Sequence, residues 1–312
     1  MLDQELELAP PVAFSLAWRT PVHDAAVHLD STIGDVARAA LARSAELILH
    51  YHEQLRFNPD ETTVHQARVS VRRLRSDLRA FFPLLDAEWA GDLRARLSWL
   101  QDGLSAARDA DVLIAALQQQ SEGLPEADRR HLDALLAPFV AARRAACERV
   151  QQMLHEEAYA TLLHAIVEAA NSPPLTPLAA EPARSAIPSI IEGAWSTLRK
   201  RVRRRSRPAT DHDLHRIRIA AKRLRYTAEA LEPVAGRAAH ALARKAATIQ
   251  TILGNQHDAV VACRRLGELA TSEYAYLAGE LAALERAEGL AARAVWRAAW
   301  RKAKRAHRTF LA

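Results

Sequence analysis

The feature that most constrains the fold of this chain is an internal repeat. Residues 64–82 (VHQARVSVRRLRSDLRAFF) return about 150 positions later as residues 214–231 (LHRIRIAAKRLRYTAEAL). At this spacing His65 aligns with His215, Arg68 with Arg218 and Arg72 with Lys222. A repeat of this kind predicts a chain built from two copies of one structural unit.

Each copy separates into a basic face and an apolar face when it is placed on a helix. The basic face holds His65, Arg68, Arg72, Arg75 and Arg79 in the first copy, and His215, Arg218, Lys222 and Arg225 in the second. Because this face borders the apolar one, we expect the cations at the edge of a groove between helices. Arg73 and Arg223 point away from both faces and are predicted to be solvated. Position 79 aligns with Glu229, so that end of the groove is expected to be less basic in one half.

Composition predicts an all-α protein. Hydrophobic residues make up 49% of the 312 residues, and there are only 10 glycines. Ala, Leu, Arg and Glu, which favour helices, are abundant. The net charge is +6, and nearly all the cations are arginines. The planar guanidinium suits phosphate oxygens, although a GC-rich genome would produce the same bias.

Proline and glycine positions divide the predicted helices into two sets of four. We expect an extended tail or linker over residues 1–30, a first four-helix repeat over 31–170, a Pro-rich linker over 171–188 and a second four-helix repeat over 189–312. In the first repeat, helices are predicted from about 31 to 56, from 61 to 85 and from 87 to 120, followed by one long helix to about 170, bent near Pro138. In the second, the predicted helices span 189–207, 211–231, 237–270 and 273–311. Thr210 and Asp213 have the spacing of a capping box. Two such bundles, related by a pseudo-two-fold, would set their basic faces across one shared groove or channel.

A second pair of matching segments lies in the third helix of each half. Gln101 aligns with Gln250, Arg108 with His257 and Asp109 with Asp258. The second copy reads Q-x-x-L-G-x-x-x-D, whereas the first has Ser105 in place of Gly254. Arg108 and His257 are therefore candidates to face a bound phosphate. We expect Asp109 and Asp258 to hold an Arg or His in place, and the two glutamines to form hydrogen bonds between helices.

These motifs resemble the CHAD family (conserved histidine alpha-helical domain). The resemblance rests on H-x-x-R-V-x-x-R-R-L-R and L-H-x-x-R-I-x-x-K-R-L-R-Y together with the Q-x-x-L-G-x-x-x-D element, and it covers residues 31–312. It implies two four-helix repeats around a basic central groove that binds inorganic polyphosphate, with association with polyphosphate granules. Some members follow a CYTH domain, a fold that processes triphosphates. Residues 1–30 resemble the junction after such a domain, so a preceding CYTH-type domain and granule proteins are candidate partners.

The predicted groove is lined by the repeated basic residues, and three further cations are candidates to extend it. These are Arg56, Lys200 and Arg204, at the ends of neighbouring helices. A solvated charged face is the alternative for the basic run that contains Lys200 and Arg204. His65 and His215 either donate to phosphate or orient the first turn of their helices.

Other functions fit the residues less well. No second ligand stands three or four residues after His65 or His215, so we expect no metal site and no cofactor. A phosphotransfer histidine would need an exposed setting, and a polyphosphate enzyme would need carboxylates for Mg²⁺, so no catalytic residue is predicted. Nucleic-acid binding is the main alternative, but aromatics total 5% and none lies on the basic face. Nucleic acid is therefore expected only as a weak competitor.

The remaining sequence signals concern location. Cys147 and Cys263 are isolated, which predicts buried free thiols in a reducing compartment. No stretch approaches the roughly 20 apolar residues of a membrane span, and no signal peptide is visible at the N-terminus. We therefore expect a cytoplasmic protein that associates with polyphosphate granules and not with membranes.

Overall fold

The computed structural model describes residues 27–57, 60–269 and 273–311. Within these ranges the chain forms helices and no strand, so the predicted all-α class is confirmed. The helices are α1 (Ile33–Phe57), α2 (Glu61–Ala80), α3 (Ala87–Ser121), α4 (Glu126–Arg129), α5 (Leu132–Met153), α6 (Glu157–Asn171), α7 (Ala183–Arg204), α8 (Asp211–Gly267) and α9 (Ala275–Leu311). Most of the tail predicted over 1–30 lies outside the described residues.

Side-chain caps fix where the helices that carry the repeat begin. Asp60 accepts a hydrogen bond from the Thr63 N–H at 2.7 Å and starts α2. Thr210 and Asp213 form the predicted capping box at the start of α8. Each such cap stabilises a helix by about 1 kcal/mol. The expected end of α2 near Leu85 was wrong: the helix ends at Ala80 and a 3₁₀ turn follows.

The long fourth helix expected for the first half is wrong as a single element. It is divided into α4, α5 and α6, and Pro138 lies inside α5 rather than at a break. The break after α5 lies at Leu154–Glu156 instead. This change of direction allows α5 to pack on α3 while α6 packs on α1. The shape of the first half therefore follows its packing partners more than its proline.

The Pro-rich segment between the halves is held against the first half. The Asp86 N–H donates to the Pro174 carbonyl at 3.0 Å, and the Ile33 N–H donates to the Glu181 carbonyl at 2.8 Å. The helix expected to begin at Ser189 begins at Ala183, so Pro188 lies within the second turn of α7. The connection between α6 and α7, residues 172–182, is thus held in place by hydrogen bonds and is shorter than the predicted linker.

Helix α8 joins the two halves of the molecule. Gly236, at φ +59°, interrupts its helical geometry at the position where the sequence predicted a helix end. Helices α2, α7 and α9 all pack on α8. A buried cluster that includes Leu117, Leu135, Leu266 and Leu281 connects α3 and α5 with α8 and α9. The basic faces of both repeats therefore meet at the contact of α2 with α8.

Two further sequence predictions can be compared with the structure. Cys147 and Cys263 are free, but both are half-buried rather than buried. Among the helices described, none has both the length and the apolar character needed to cross a membrane.

Candidate functional site

The contact between α2 and α8 brings cations of both repeats together. We define the central cluster as Arg68, Arg72, Arg75, Arg218 and Lys222. Burial, and after it the charges of the four arginines, lower the pKa of Lys222 to about 7. A lysine loses its proton this readily only where little water and many like charges surround it. The central cluster is therefore a site of concentrated, partly desolvated positive charge.

Arg72 contributes a hydrogen-bond donor that the protein does not satisfy. Its Nε is buried, and no acceptor among the described residues bonds to it. The guanidinium lies 5.7 Å from the centre of the Tyr226 ring, and the guanidinium of Arg225 lies 5.4 Å from the same ring. Tyr226 is itself 4% exposed. A buried donor without an acceptor is costly, so the unpaired Nε adds to the free-energy cost of holding Arg72 among the other cations.

The third-helix motif supports the central cluster in a similar way in each half. In the first half, Arg68 donates from Nε to the Ser105 hydroxyl at 3.1 Å and pairs with Asp109 at 3.1 Å. In the second half, a Cβ added at Gly254 would lie 3.9 Å from Arg218 Nε. Ser105 and Gly254 are aligned in the repeat, and each lies beside the aligned arginine of its own half, Arg68 or Arg218.

The carboxylates Asp109 and Asp258 lie among these arginines. Removal from water raises the pKa of Asp258, although the charge of Arg218 acts in the opposite direction. Asp109 pairs with Arg68, as the sequence predicted for a residue that holds an arginine in place.

Histidines border the cluster on the α8 side. The rings of His215 and His257 lie 4.5 Å apart between centres. Burial lowers the pKa of both histidines. The charges of His257 and Arg218 lower the pKa of His215 further, and the charge of Arg218 does the same for His257. Arg108 is close enough to lower the pKa of Arg68. His65 is half-buried in the first turns of α2. The structure thus brings Arg108, His215 and His257 to the central cluster.

A second group of cations, which we call the edge cluster, lies where α2 and α8 continue past the central cluster. It consists of Arg79, Arg94 and Arg223. Burial is the larger cause of the lowered pKa of Arg94 and of Arg223; the charge of Arg79 lowers both further, and the charge of Arg223 also lowers that of Arg94. The prediction that Arg223 is solvated was wrong, because it turns into the helix contact and its Nε is buried. Arg94 was missed. Its signal was a polar face on α3, on which Arg94, Ser98, Ser105 and Arg108 recur at helical spacing.

Glu229 neutralises part of the predicted groove. It accepts a hydrogen bond from Arg225 at 2.6 Å and pairs with Arg73 of α2 at 3.2 Å. Arg225 is therefore less available to donate hydrogen bonds to an anion than its place in the repeat suggested. Arg73 forms an ion pair between helices, so the prediction that it is solvated was wrong. The sequence prediction that this end is less basic in one half agrees with this arrangement.

Three predicted groove residues lie elsewhere. Arg56 lies beside His52 and Tyr159, where α1 meets α6. Burial lowers the pKa of His52 and the charge of Arg56 lowers it further, whereas for Tyr159 burial raises the pKa and Arg56 opposes that rise. Lys200 and Arg204 line a separate depression on α7 with Ser196 and Thr197. We therefore leave all three outside the central cluster.

No group of three or more metal-binding side chains occurs in the ranges that the structure describes. The arrangement is suited to binding a multiply charged anion: donors with fixed geometry converge from two helices, and their mutual repulsion is relieved when negative charge arrives.

Comparison with known proteins gives agreement in sequence and in fold. The family model described as the CHAD domain matches residues 38–267. The uncharacterized protein Rv2226 of Mycobacterium tuberculosis is 31% identical over 244 residues, which are 74% of this chain and 45% of that protein. The chain thus spans less than half the length of this relative.

Two solved structures share the fold. The crystal structure of the CHAD domain from the plant Ricinus communis matches with a TM-score of 0.71 and 28% identity, over 91% of this chain and 95% of that one. PptA from Streptomyces chartreusis matches with a TM-score of 0.71 and 23% identity, over 87% of this chain and 100% of that one.

Proposed function

This chain belongs to the CHAD domain family, and from that premise we propose that its central cluster binds inorganic polyphosphate. The observation that carries the proposal is the setting of Lys222, which is half-buried among four arginines drawn from both repeats. The family resemblance supplies the identity of the anion. The surroundings of Lys222 supply the physical reason for binding one.

Polyphosphate matches the site because it is a flexible chain of charges without bases. Each internal phosphate carries a negative charge and oxygens that accept from guanidinium donors. The cluster offers such donors at successive turns of α2 and α8, a rise of about 5.4 Å per turn. Bases would find no aromatic face in the cluster, since Arg72 and Arg225 cover Tyr226. These features favour polyphosphate over nucleic acid at this site.

We propose a binding role without catalysis. Phosphoryl transfer uses carboxylates that hold Mg²⁺ beside the phosphates. Here Asp109 is engaged by Arg68 and Glu229 by Arg225. Targeting to polyphosphate granules, and cooperation with a CYTH-type domain or with granule proteins, are further parts of the proposal that follow from the family.

A competition experiment tests the choice of ligand. Fluorescent polyphosphate is bound to the protein at about 150 mM salt, a concentration that screens weak surface contacts. Unlabelled polyphosphate, single-stranded RNA and duplex DNA are then added at equal phosphate concentration. We expect only polyphosphate to displace the label. Displacement by RNA or DNA at comparable concentrations would contradict the assignment of the central cluster.

A set of variants tests the location. Replacing Arg68, Arg72, Arg218 and Lys222 together with Ala should abolish binding of labelled polyphosphate. The matched control replaces the exposed Arg237 and Arg244 of α8 with Gln and should bind as the wild type does. Circular dichroism and the melting temperature check the fold. A folded variant with unchanged affinity would contradict the proposal that the central cluster binds polyphosphate.

A further inference from the structure

A second basic surface lies between the C-terminal parts of α7 and α9. It is a groove of about 970 Å³, and we call it the α7/α9 groove. Eight arginine or lysine side chains line it, and no carboxylate is among its described lining residues. None of these residues belongs to the central cluster. Six of the cations are Arg199 and Arg203 on α7, and Arg297, Arg301, Lys304 and Arg308 on α9.

The cations recur at helical spacing, so they form a continuous face. Positions 297, 301, 304 and 308 fall on one side of α9, and 199 and 203 are one turn apart on α7. Glu192, next to the groove, pairs with Arg199 at 3.3 Å and with His307 at 3.0 Å. Arg203, Arg301 and Arg308 are exposed. Asp213 also acts on the charge of Arg205. These carboxylates are outnumbered by the eight cations of the groove, so most of its positive charge is uncompensated.

The wall of the groove is aromatic, unlike the central cluster. Trp195 stacks on Trp300 with ring centres 4.9 Å apart and planes 13° apart, and on His307 at 4.1 Å and 10°. Trp195 is buried, whereas Trp300 is part-exposed and lines the groove. Arg205 lies 5.5 Å from the centre of the Trp296 ring in the same groove. Cationic rims beside a partly exposed, rigidly stacked indole combine the two contacts that single-stranded nucleic acids require.

We propose that the α7/α9 groove binds single-stranded nucleic acid, with phosphates on the arginines and a base against Trp300. A bare phosphate chain would gain nothing from the indole, whereas a nucleotide strand contacts both parts of the wall. Duplex DNA fits less well, because its bases are stacked inside the helix. The protein then holds two polyanions at separate sites, and the proposal does not depend on what binds the central cluster.

Direct binding tests the location of the site. The probe is a fluorescein-labelled oligodeoxyadenylate of about 15 nucleotides, within the usual length for one single-strand site. Replacing Arg203, Arg301 and Arg308 with Gln should weaken its binding at least tenfold. The matched control replaces Arg68, Arg72 and Arg218 with Gln and should change it by no more than twofold. No binding by the wild type, or the reverse order of the two variants, would overturn the proposal.

A charge-matched probe tests the base contact. An abasic phosphodiester strand of equal length carries the same charge but no bases. We expect the wild type to bind the oligodeoxyadenylate at least tenfold more tightly than the abasic strand, and Trp300→Leu to remove this difference. Equal affinity of the wild type for both strands would show a purely electrostatic surface and would refute the base contact.

Crosslinking of the wild type gives a result that needs no variant to fold. A strand carrying photoreactive 4-thiothymidine is irradiated on the protein, and the attached peptides are identified by mass spectrometry. Attachment to α7 or α9 supports the proposal. Attachment confined to α2 or the first half of α8 would overturn it.

Discussion

At the scale of single residues, Lys222 shows what a sequence pattern can and cannot predict. The repeat aligned it with Arg72 and placed both on a basic face. Its surroundings depend on how α2 and α8 pack, and these lower its pKa to about 7 through burial and four arginine charges. A lysine at this position can lose its charge near neutral pH, whereas the arginines around it cannot.

The first prediction concerns the pH dependence of binding. Lys222 must be protonated to attract an anion, and it loses its proton as pH rises through about 7. Polyphosphate affinity should therefore fall between about pH 6.5 and pH 9, a range below the ordinary lysine pKa. Lys222→Arg keeps its charge and should show a much flatter profile over this range. Fluorescence anisotropy across the pH series measures both, and identical profiles for the two proteins would contradict the setting of Lys222.

Without ligand, the titration of Lys222 should change stability in the opposite direction: the free energy of unfolding should rise with pH. The folded-state pKa of Lys222 lies below the unfolded value, so the unfolded chain holds more protons between about pH 7 and pH 10. The contribution of Lys222 to the free energy of unfolding should thus rise with pH in this window. The test is urea unfolding of the wild type and of Lys222→Met. At neutral pH the free energy of unfolding of the variant should exceed that of the wild type by at least about 1 kcal/mol, and this difference should shrink as pH rises. A constant difference between the two proteins would be inconsistent with a titrating Lys222.

At the scale of helices, the pairing of α2 with α8 explains the residues that the sequence misplaced. Arg73 and Arg223 occupy equivalent positions in the repeat, and both turn into this contact. Arg73 meets Glu229, but Arg223 meets Arg79, the residue aligned with Glu229. The periodicity of one helix identifies its faces but not the helix that covers them. This is why the basic and apolar faces could be predicted and the edge cluster could not.

The next prediction removes the carboxylate of this asymmetric pair. Glu229→Gln frees Arg225 and Arg73 from their partner and adds net positive charge beside the central cluster. Polyphosphate affinity should rise about threefold or more, while the melting temperature falls by a few degrees because an inter-helix ion pair is lost. Isothermal titration and thermal unfolding measure the two effects. A matched change at an exposed carboxylate, Glu148→Gln, should alter neither.

Gly236 offers a test of helix geometry that is independent of the site. Its φ of +59° lies in the left-handed region, and a Cβ added there would meet no atom within 4 Å. Any cost of Gly236→Ala therefore comes from the backbone conformation, and we expect about 1 kcal/mol of lost stability. Gly193→Ala, at another open position but inside α7, is the control and should be neutral or stabilising. Equal effects of the two substitutions would mean that Gly236 does not need its conformation.

At the scale of the whole molecule, the internal repeat predicted most of the helix order. Caps such as Asp60 and Thr210 are local signals, so the starts of α2 and α8 could be predicted from sequence. The break between α5 and α6 could not, because residues 154–156 contain neither proline nor glycine and the break serves the packing of α6 on α1. Pro138 was predicted to bend a helix and Pro188 to end a linker. Neither proline marks a break between helices, because each lies inside a helix.

The most direct test of the central claim is the number of polyphosphate chains that one protein binds. A short polyphosphate of defined length is titrated into the wild type, into Arg68→Gln with Arg72→Gln, and into Arg218→Gln with Lys222→Gln, with calorimetry as the readout. If α2 and α8 form one shared site, the wild type binds one chain, and each pair of substitutions weakens that event at least tenfold. Two chains per protein, with each pair of substitutions abolishing one and leaving the other unchanged, would show two separate sites and contradict the account.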